Sequence, residues 1–176
     1  MPSFGPVTAS ILILGLAPGL RGANATGRPF TGDFAGKVLY DALIKTGLAS
    51  GTYRASANDG LRLNNVRISN AVRCVPPQNK PNAAEITTCR PYLSTELAQM
   101  KELKVILALG RIAHETILRH FHLRLNDFPF RHNYVQRLPN GLSLLSSYHC
   151  SRYNVQTNRL TLAMFDEVLT HLRGLT

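Results

Sequence analysis

Four short, mostly apolar runs constrain this chain more than any other feature: ASILILGLA (9–17), NNVRISNAV (64–72), LKVILALG (103–110) and GLSLLSSYH (141–149). Strands with one wet face alternate apolar and polar residues. These runs largely do not, so both of their faces are expected under cover. Between them lie stretches with helical spacing, at 35–48, 82–100, 110–121 and 158–175. Strands and helices in alternation predict an α/β protein with a parallel sheet covered on both sides. Asn82 with Glu85 three residues on forms a capping box at one helix start, and Gly47 ends another helix. With 176 residues, 44% of them apolar, the chain can bury the core of one domain, expected over 1–176.

Three connections follow predicted strand ends: the glycine-rich Gly15–Phe34, the proline-stiffened CVPPQNKP (74–81) and the polar HCSRYNVQTN (149–158). In open α/β sheets that edge is where ligands bind. The glycines after the first run lack the G-x-G-x-x-G spacing of a dinucleotide site. GDFAGK is one residue too short for a P-loop, and Val38 stands where a magnesium-binding Ser or Thr is required. Side chains suited to a nucleobase do collect at these ends. Asn70 offers donor and acceptor together, as the O4 and N3–H edge of uracil requires. Phe30 offers a flat face for stacking. His149 can donate to an oxygen that gains charge, and Asp33 is the nearby carboxylate.

The formal charge is +10, from 20 Lys+Arg against 10 Asp+Glu, and arginine dominates. A polyanionic partner is expected, because forked guanidinium groups suit phosphates and binding releases counterions. Three cysteines are too few and odd in number for a secreted disulfide framework, which predicts a reducing compartment. The amino-terminal residues lack the basic start of a signal peptide, and no run reaches the roughly 18 apolar residues of a membrane span. A cytoplasmic, nucleoid-associated protein is expected. The remaining histidines (His114, His120, His122, His132, His171) show no metal-ligand pattern, and no G-x-S-x-G elbow supports a serine hydrolase.

GLAPG…GRPFTGDFAG, NAVRCVPPQNKP, LALGRIAHE and SYHCSRYN occur in that order. Together, from about Gly5 to Leu169, they resemble the uracil-DNA glycosylase superfamily, and within it the family 5 branch of broad-specificity, iron–sulfur enzymes. The resemblance implies a three-layer α/β/α sandwich with a central four-stranded parallel sheet. It implies base excision repair by a monofunctional hydrolase. Uracil, and other deaminated bases such as hypoxanthine, would be flipped out of double-stranded DNA and released, leaving an abasic site. No membrane is involved, and a monomer suits an enzyme that scans DNA.

Carried onto this sequence, the base site comprises Gly15, Ala17, Pro18, Gly19, Phe30 and Asn70, with Asp33, His149 and Asn70 catalytic. Ala17 stands where other branches carry a carboxylate or amide. Ser151, Arg152, Tyr153 and Asn154 would enter the minor groove, with Tyr153 or Val155 as the wedge. Cys150 replaces the usual proline, so a looser loop is expected. Cys74 and Cys89 stand at two of the four thiolate positions of a 4Fe-4S cluster, and no cysteine precedes them. Free thiols are expected there, with the cluster absent or incomplete and its amino-terminal ligand segment missing. The alternative is a nucleic-acid-binding module that kept the fold without the catalysis.

Overall fold

The computed structural model describes residues 1–176, the side chain of Asn79 excepted. In chain order the elements are β1 (Ile11–Gly15), α1 (Ala23–Thr26), α2 (Phe34–Lys45), β2 (Ala49–Ser50), β3 (Arg62–Leu63), β4 (Val66–Asn70), α3 (Ala83–Gln99), β5 (Val105–Leu109), α4 (Arg111–His120), β6 (Tyr134–Arg137), β7 (Ser143–Ser147), α5 (Arg152–Gln156) and α6 (Leu162–Gly174). The main sheet runs β4-β1-β5-β7-β6. Its first four strands are mutually parallel, as expected, and β6 is added antiparallel to β7 at the edge. The sequence reading missed β6 because YVQR is short, half polar and paired on one side only. A separate two-stranded ribbon joins β2 to β3.

Side chains along β1 divide between two cores. Ile11 and Ile13 face α2 and α6, packing with Leu39, Leu43, Phe165 and Leu169. Leu12 and Leu14 face α3 and α4, packing with Leu93, Ile117 and Leu118. All five residues of β1, β5 and β7 are buried, which explains the unbroken apolar runs of β1 and β5, while β7 buries three serines beside its two leucines. The capping box of α3 is present, with Asn82 and Glu85 exchanging bonds of 2.8 and 2.9 Å. The last helix begins at Leu162, capped by Thr161, rather than at 158. No described helix is long and apolar enough to cross a membrane.

The strand order positions the site. From β1 the chain crosses through α2 to β4 on one side, then through α3 to β5 on the other. That reversal opens a crevice at the carboxyl end of β1, where Gly15 lies beside Asn70 in register.

Candidate active site

Gly15 and Asn70 end their strands side by side, and Phe30 comes down on both. A Cβ placed on Gly15 would sit 2.5 Å from Asn70 Oδ1 and 2.5 Å from Phe30 Cζ, so only glycine permits this approach. Asn70 is 4% exposed, and its Oδ1 has no hydrogen-bond partner. A buried amide oxygen left unsatisfied is uncommon and marks a place for a donor.

The segment carrying Phe30 is fixed from several directions. Arg28 makes two 2.8 Å bonds to Asp59, both side chains being buried, and its Nε donates to Thr31 Oγ1 at 2.7 Å. The guanidinium lies over the rings of Phe4, Tyr40 and Tyr53 at 5.1–5.7 Å. Asp59 also accepts from the backbone N–H groups of Arg54 and Leu61. The Arg28 hydrogen bonds hold its carboxyl well below the usual carboxylate range, against the opposing pull of burial. Tyr40 donates to Pro29 O at 2.6 Å, and Tyr53 accepts from Gly32 N–H at 3.1 Å. Within this frame Phe30 takes a left-handed backbone, φ +54°. Its carbonyl lies 1.5 Å from where a Gly36 Cβ would be, so the α2 start also demands glycine.

Asp33 caps α2, accepting from Gly36 N–H through Oδ1 at 2.7 Å. Oδ2 lies toward Gly19, 3.6 Å from the position of an added Cβ there. Pro18 is buried behind this loop, and Ala17 packs against Val72, Ile86 and Cys89. From the other side of the sheet, His149 follows β7 and stacks on Phe30, with ring centroids 5.9 Å apart and planes 24° apart. Burial pushes the imidazole below its ordinary pKa of 6.5, with Asp33 pulling the other way. That favours the neutral imidazole, which has one N–H to donate. Phe30 thus lies between the Gly15–Asn70 strand ends and the His149 ring.

The loop after His149 is not the open segment expected from its composition. Residues Arg152–Gln156 form α5, capped by Ser151. Asn154 turns back, its Nδ2 donating to His149 O at 2.8 Å, so it braces the loop rather than extending from it. Cys150 does not loosen the backbone: it is fully buried, and its thiol donates to Ala35 O at 3.5 Å. Burial pushes that thiol up to about 12. Tyr153 is 70% exposed, whereas Val155 is half-buried beside Phe34, Leu162 and Phe165. Arg152 lies over the Phe34 ring at 5.5 Å.

Cys74 and Cys89 line one cavity of about 280 Å³ together with Val72, Pro76 and Thr88. Cys150 packs against α2 in the other core, so it adds no ligand there. A four-iron cluster takes four thiolates, and among the described residues no group of three or more His, Cys, Asp or Glu is assembled to hold a metal. The residues present do not by themselves fit the cluster.

Several arginines suited to phosphate turn inward instead. Arg28 holds Asp59, while Arg67 and Arg73 both hold the buried Glu96, at 2.6 and 2.7 Å. Sequence reasoning also passed over His114, which is buried between Ser146 Oγ (2.7 Å) and Phe128 O (2.8 Å). It passed over Leu20 too, an exposed apolar side chain one residue beyond Gly19.

The chain matches the Uracil DNA glycosylase superfamily over residues 2–173. It is 49% identical to the type-5 uracil-DNA glycosylase of Thermus thermophilus, over 99% of this chain and 80% of that protein. It is 42% identical to the type-5 enzyme of Mycobacterium bovis, over 99% of this chain and 66% of that protein. The type-5 enzyme of Pyrobaculum aerophilum is 37% identical over 96% of this chain and 73% of its own length. A parallel sheet with an amide, an aromatic plate and an imidazole at its carboxyl edge, joined to likeness along the whole sequence, makes the assignment: the chain belongs to the uracil-DNA glycosylase superfamily.

Proposed function

We propose that this chain hydrolyses the N-glycosidic bond of uracil in DNA and leaves an abasic site. The observation that supports it most is the unsatisfied Oδ1 of Asn70 beside the Phe30 ring. Uracil presents N3–H next to O4, and one amide serves both: Oδ1 accepts from N3–H while Nδ2 donates to O4. Hypoxanthine presents the same pair as N1–H and O6. Cytosine and adenine present an amino donor beside a bare ring nitrogen, which would leave Oδ1 facing a lone pair. Deaminated bases are therefore the substrate class.

The target nucleotide leaves the stack at a cost of a few kcal/mol, which a U·G mispair lowers. Phe30 stacks on the everted base, and the backbone of Gly15–Gly19 closes around it. As the C1′–N1 bond breaks, both electrons leave with the base, and charge collects on O2. A preorganised donor there, the His149 N–H, is worth about 3–4 kcal/mol. Water adds to C1′, oriented by Asp33, which takes its proton, while the released uracil anion is protonated from solvent. Lys37, in the same segment as Asp33, is paired with Asp41 on the surface, so no amine is offered for a lyase step. Tyr153, on the outer turn of α5, fills the gap in the duplex. The enzyme works as a monomer on cytoplasmic DNA.

Duplexes carrying U·G, U·A, hypoxanthine·T or only normal pairs test this, with alkali to break abasic sites. Breaks at uracil and hypoxanthine, and none at cytosine, are expected. Binding without breaks at any base overturns the activity.

A further inference from the structure

On the other side of His149 lies a cavity that the chemistry above does not use. It measures about 290 Å³, near the lower bound of about 300 Å³ for small-molecule pockets. Its floor is apolar, formed by Leu16, Leu109, Ile112 and Ala113, and neither Phe30 nor Asn70 lines it. Its wall is aromatic and cationic. Arg111 lies over Phe130 at 5.5 Å, and Arg159 lies over Tyr148 at 4.9 Å. Tyr148 is in turn backed by His132, with ring planes 11° apart and centroids 4.9 Å apart. Phe130 is backed edge-on by the buried His114. No carboxylate lines the cavity, and among the described residues neither Arg111 nor Arg159 has an acidic partner.

Arg159 and His132 cover the Tyr148 ring, so the stacking surface is that of the guanidinium groups and Phe130; with an apolar floor and two unneutralised cations it matches one ligand class: a nucleotide, base inward and phosphate at the rim. A free inorganic anion would leave the apolar floor wet, and a neutral apolar ligand would leave both guanidinium groups unused. Because His149 is shared between this cavity and the base site, an occupant here lies next to the everted base.

We propose that the cavity receives the base of the nucleotide adjoining the target, so that DNA is held through two unstacked neighbouring bases. The proposal rests on the glycosylase activity and adds a substrate preference to it. Unstacking a second base from a duplex costs a few kcal/mol more, whereas in a single strand most of that cost is absent. Uracil in single-stranded DNA is then the better substrate, and Phe130, Tyr148, Arg111 and Arg159 form the second base site.

The test uses single-stranded oligonucleotides with one uracil, in which the base on its 5′ or 3′ side is replaced by an abasic analogue. Deleting the base on one side, and not the other, should raise KM about tenfold with little change in kcat, as loss of one stacked base predicts. Phe130→Ala should raise KM on the intact strand by a similar factor, and add nothing on the strand lacking that base. Arg159→Gln, an exposed position, provides a second variant whose folding is secure and should show the same non-additivity. If neither deletion raises KM, or if deletion and substitution effects multiply, the second site is refuted. Failure to release uracil from any strand would refute the glycosylase reading itself.

Discussion

The two segments that meet in the Phe30–His149 stack are held in opposite ways. Residues 28–33 are tied to distant parts of the chain through a buried ion pair and two tyrosine hydroxyls. Residues 149–159 are tied mostly to themselves: Asn154 to His149 O, Asn154 N–H to Ser151 Oγ, Leu160 N–H to Asn154 O. Among the described residues their long-range ties are the weak thiol bond of Cys150 and the Arg152 guanidinium over the Phe34 ring. The Phe30 side is thus held by ties across the fold, and its charge-assisted bonds lie in a low-dielectric setting where they are strong. The His149 side is a small self-braced unit rooted in the core through Cys150. On the proposed function, rigidity stands where a flat base is selected, and local bracing stands where the duplex is met.

Breaking the ion pair gives the largest effect. Arg28→Met leaves Asp59 buried and unpaired, and should lower stability by about 3–5 kcal/mol in urea unfolding. The pair also sets a pH dependence. The folded pKa of Asp59 is depressed, so its stabilisation is complete above the ordinary value of 3.8 and is lost as pH falls below it. Asp59→Asn should be less stable than the parent at pH 7, and the gap should close on acidification below about pH 4. A constant gap would mean that the pair does not stiffen this side.

His149→Ala tests the other side. It should lower kcat by about 10²–10³-fold while the melting temperature stays within a few degrees, since it removes a donor and one ring stack but no side-chain hydrogen bond to the core. An equal fall in stability would erase the distinction between the segments. Asn154→Ala sharpens it: losing one hydrogen bond should cost only about 1 kcal/mol of stability, with kcat falling about tenfold as the imidazole loses its backing. The smallest effect concerns the root. Iodoacetamide at pH 7.5 should label the exposed Cys74 and leave Cys150 untouched until the protein unfolds, because burial keeps that thiol protonated. Rapid labelling of Cys150 would mean that the loop opens.

The parallel core was legible in the sequence because burial on both faces writes an apolar run. Asn70 and His149 were legible because a polar residue ending such a run has few places to be. Strand β6 and helix α5 were not: four and five residues, largely polar, are too short to show a period. The Arg28–Asp59 pair was hidden for a different reason. Thirty-one residues separate the partners, each resembles an ordinary surface charge, and the arginine was counted toward phosphate binding. Cys150 looked like a missing proline, but the structure uses it as an apolar plug. Local pattern reports which faces are buried; it does not report which charges find each other.

The left-handed backbone at Phe30 has a consequence for how this protein can change. Glycine or asparagine would relax that residue, and valine or isoleucine would strain it further. Neither relaxing exchange would stabilise the fold, because Phe30 is buried in the main core and losing its ring costs about 3–5 kcal/mol, more than the backbone strain it relieves. Packing and backbone geometry pull against each other at a single side chain.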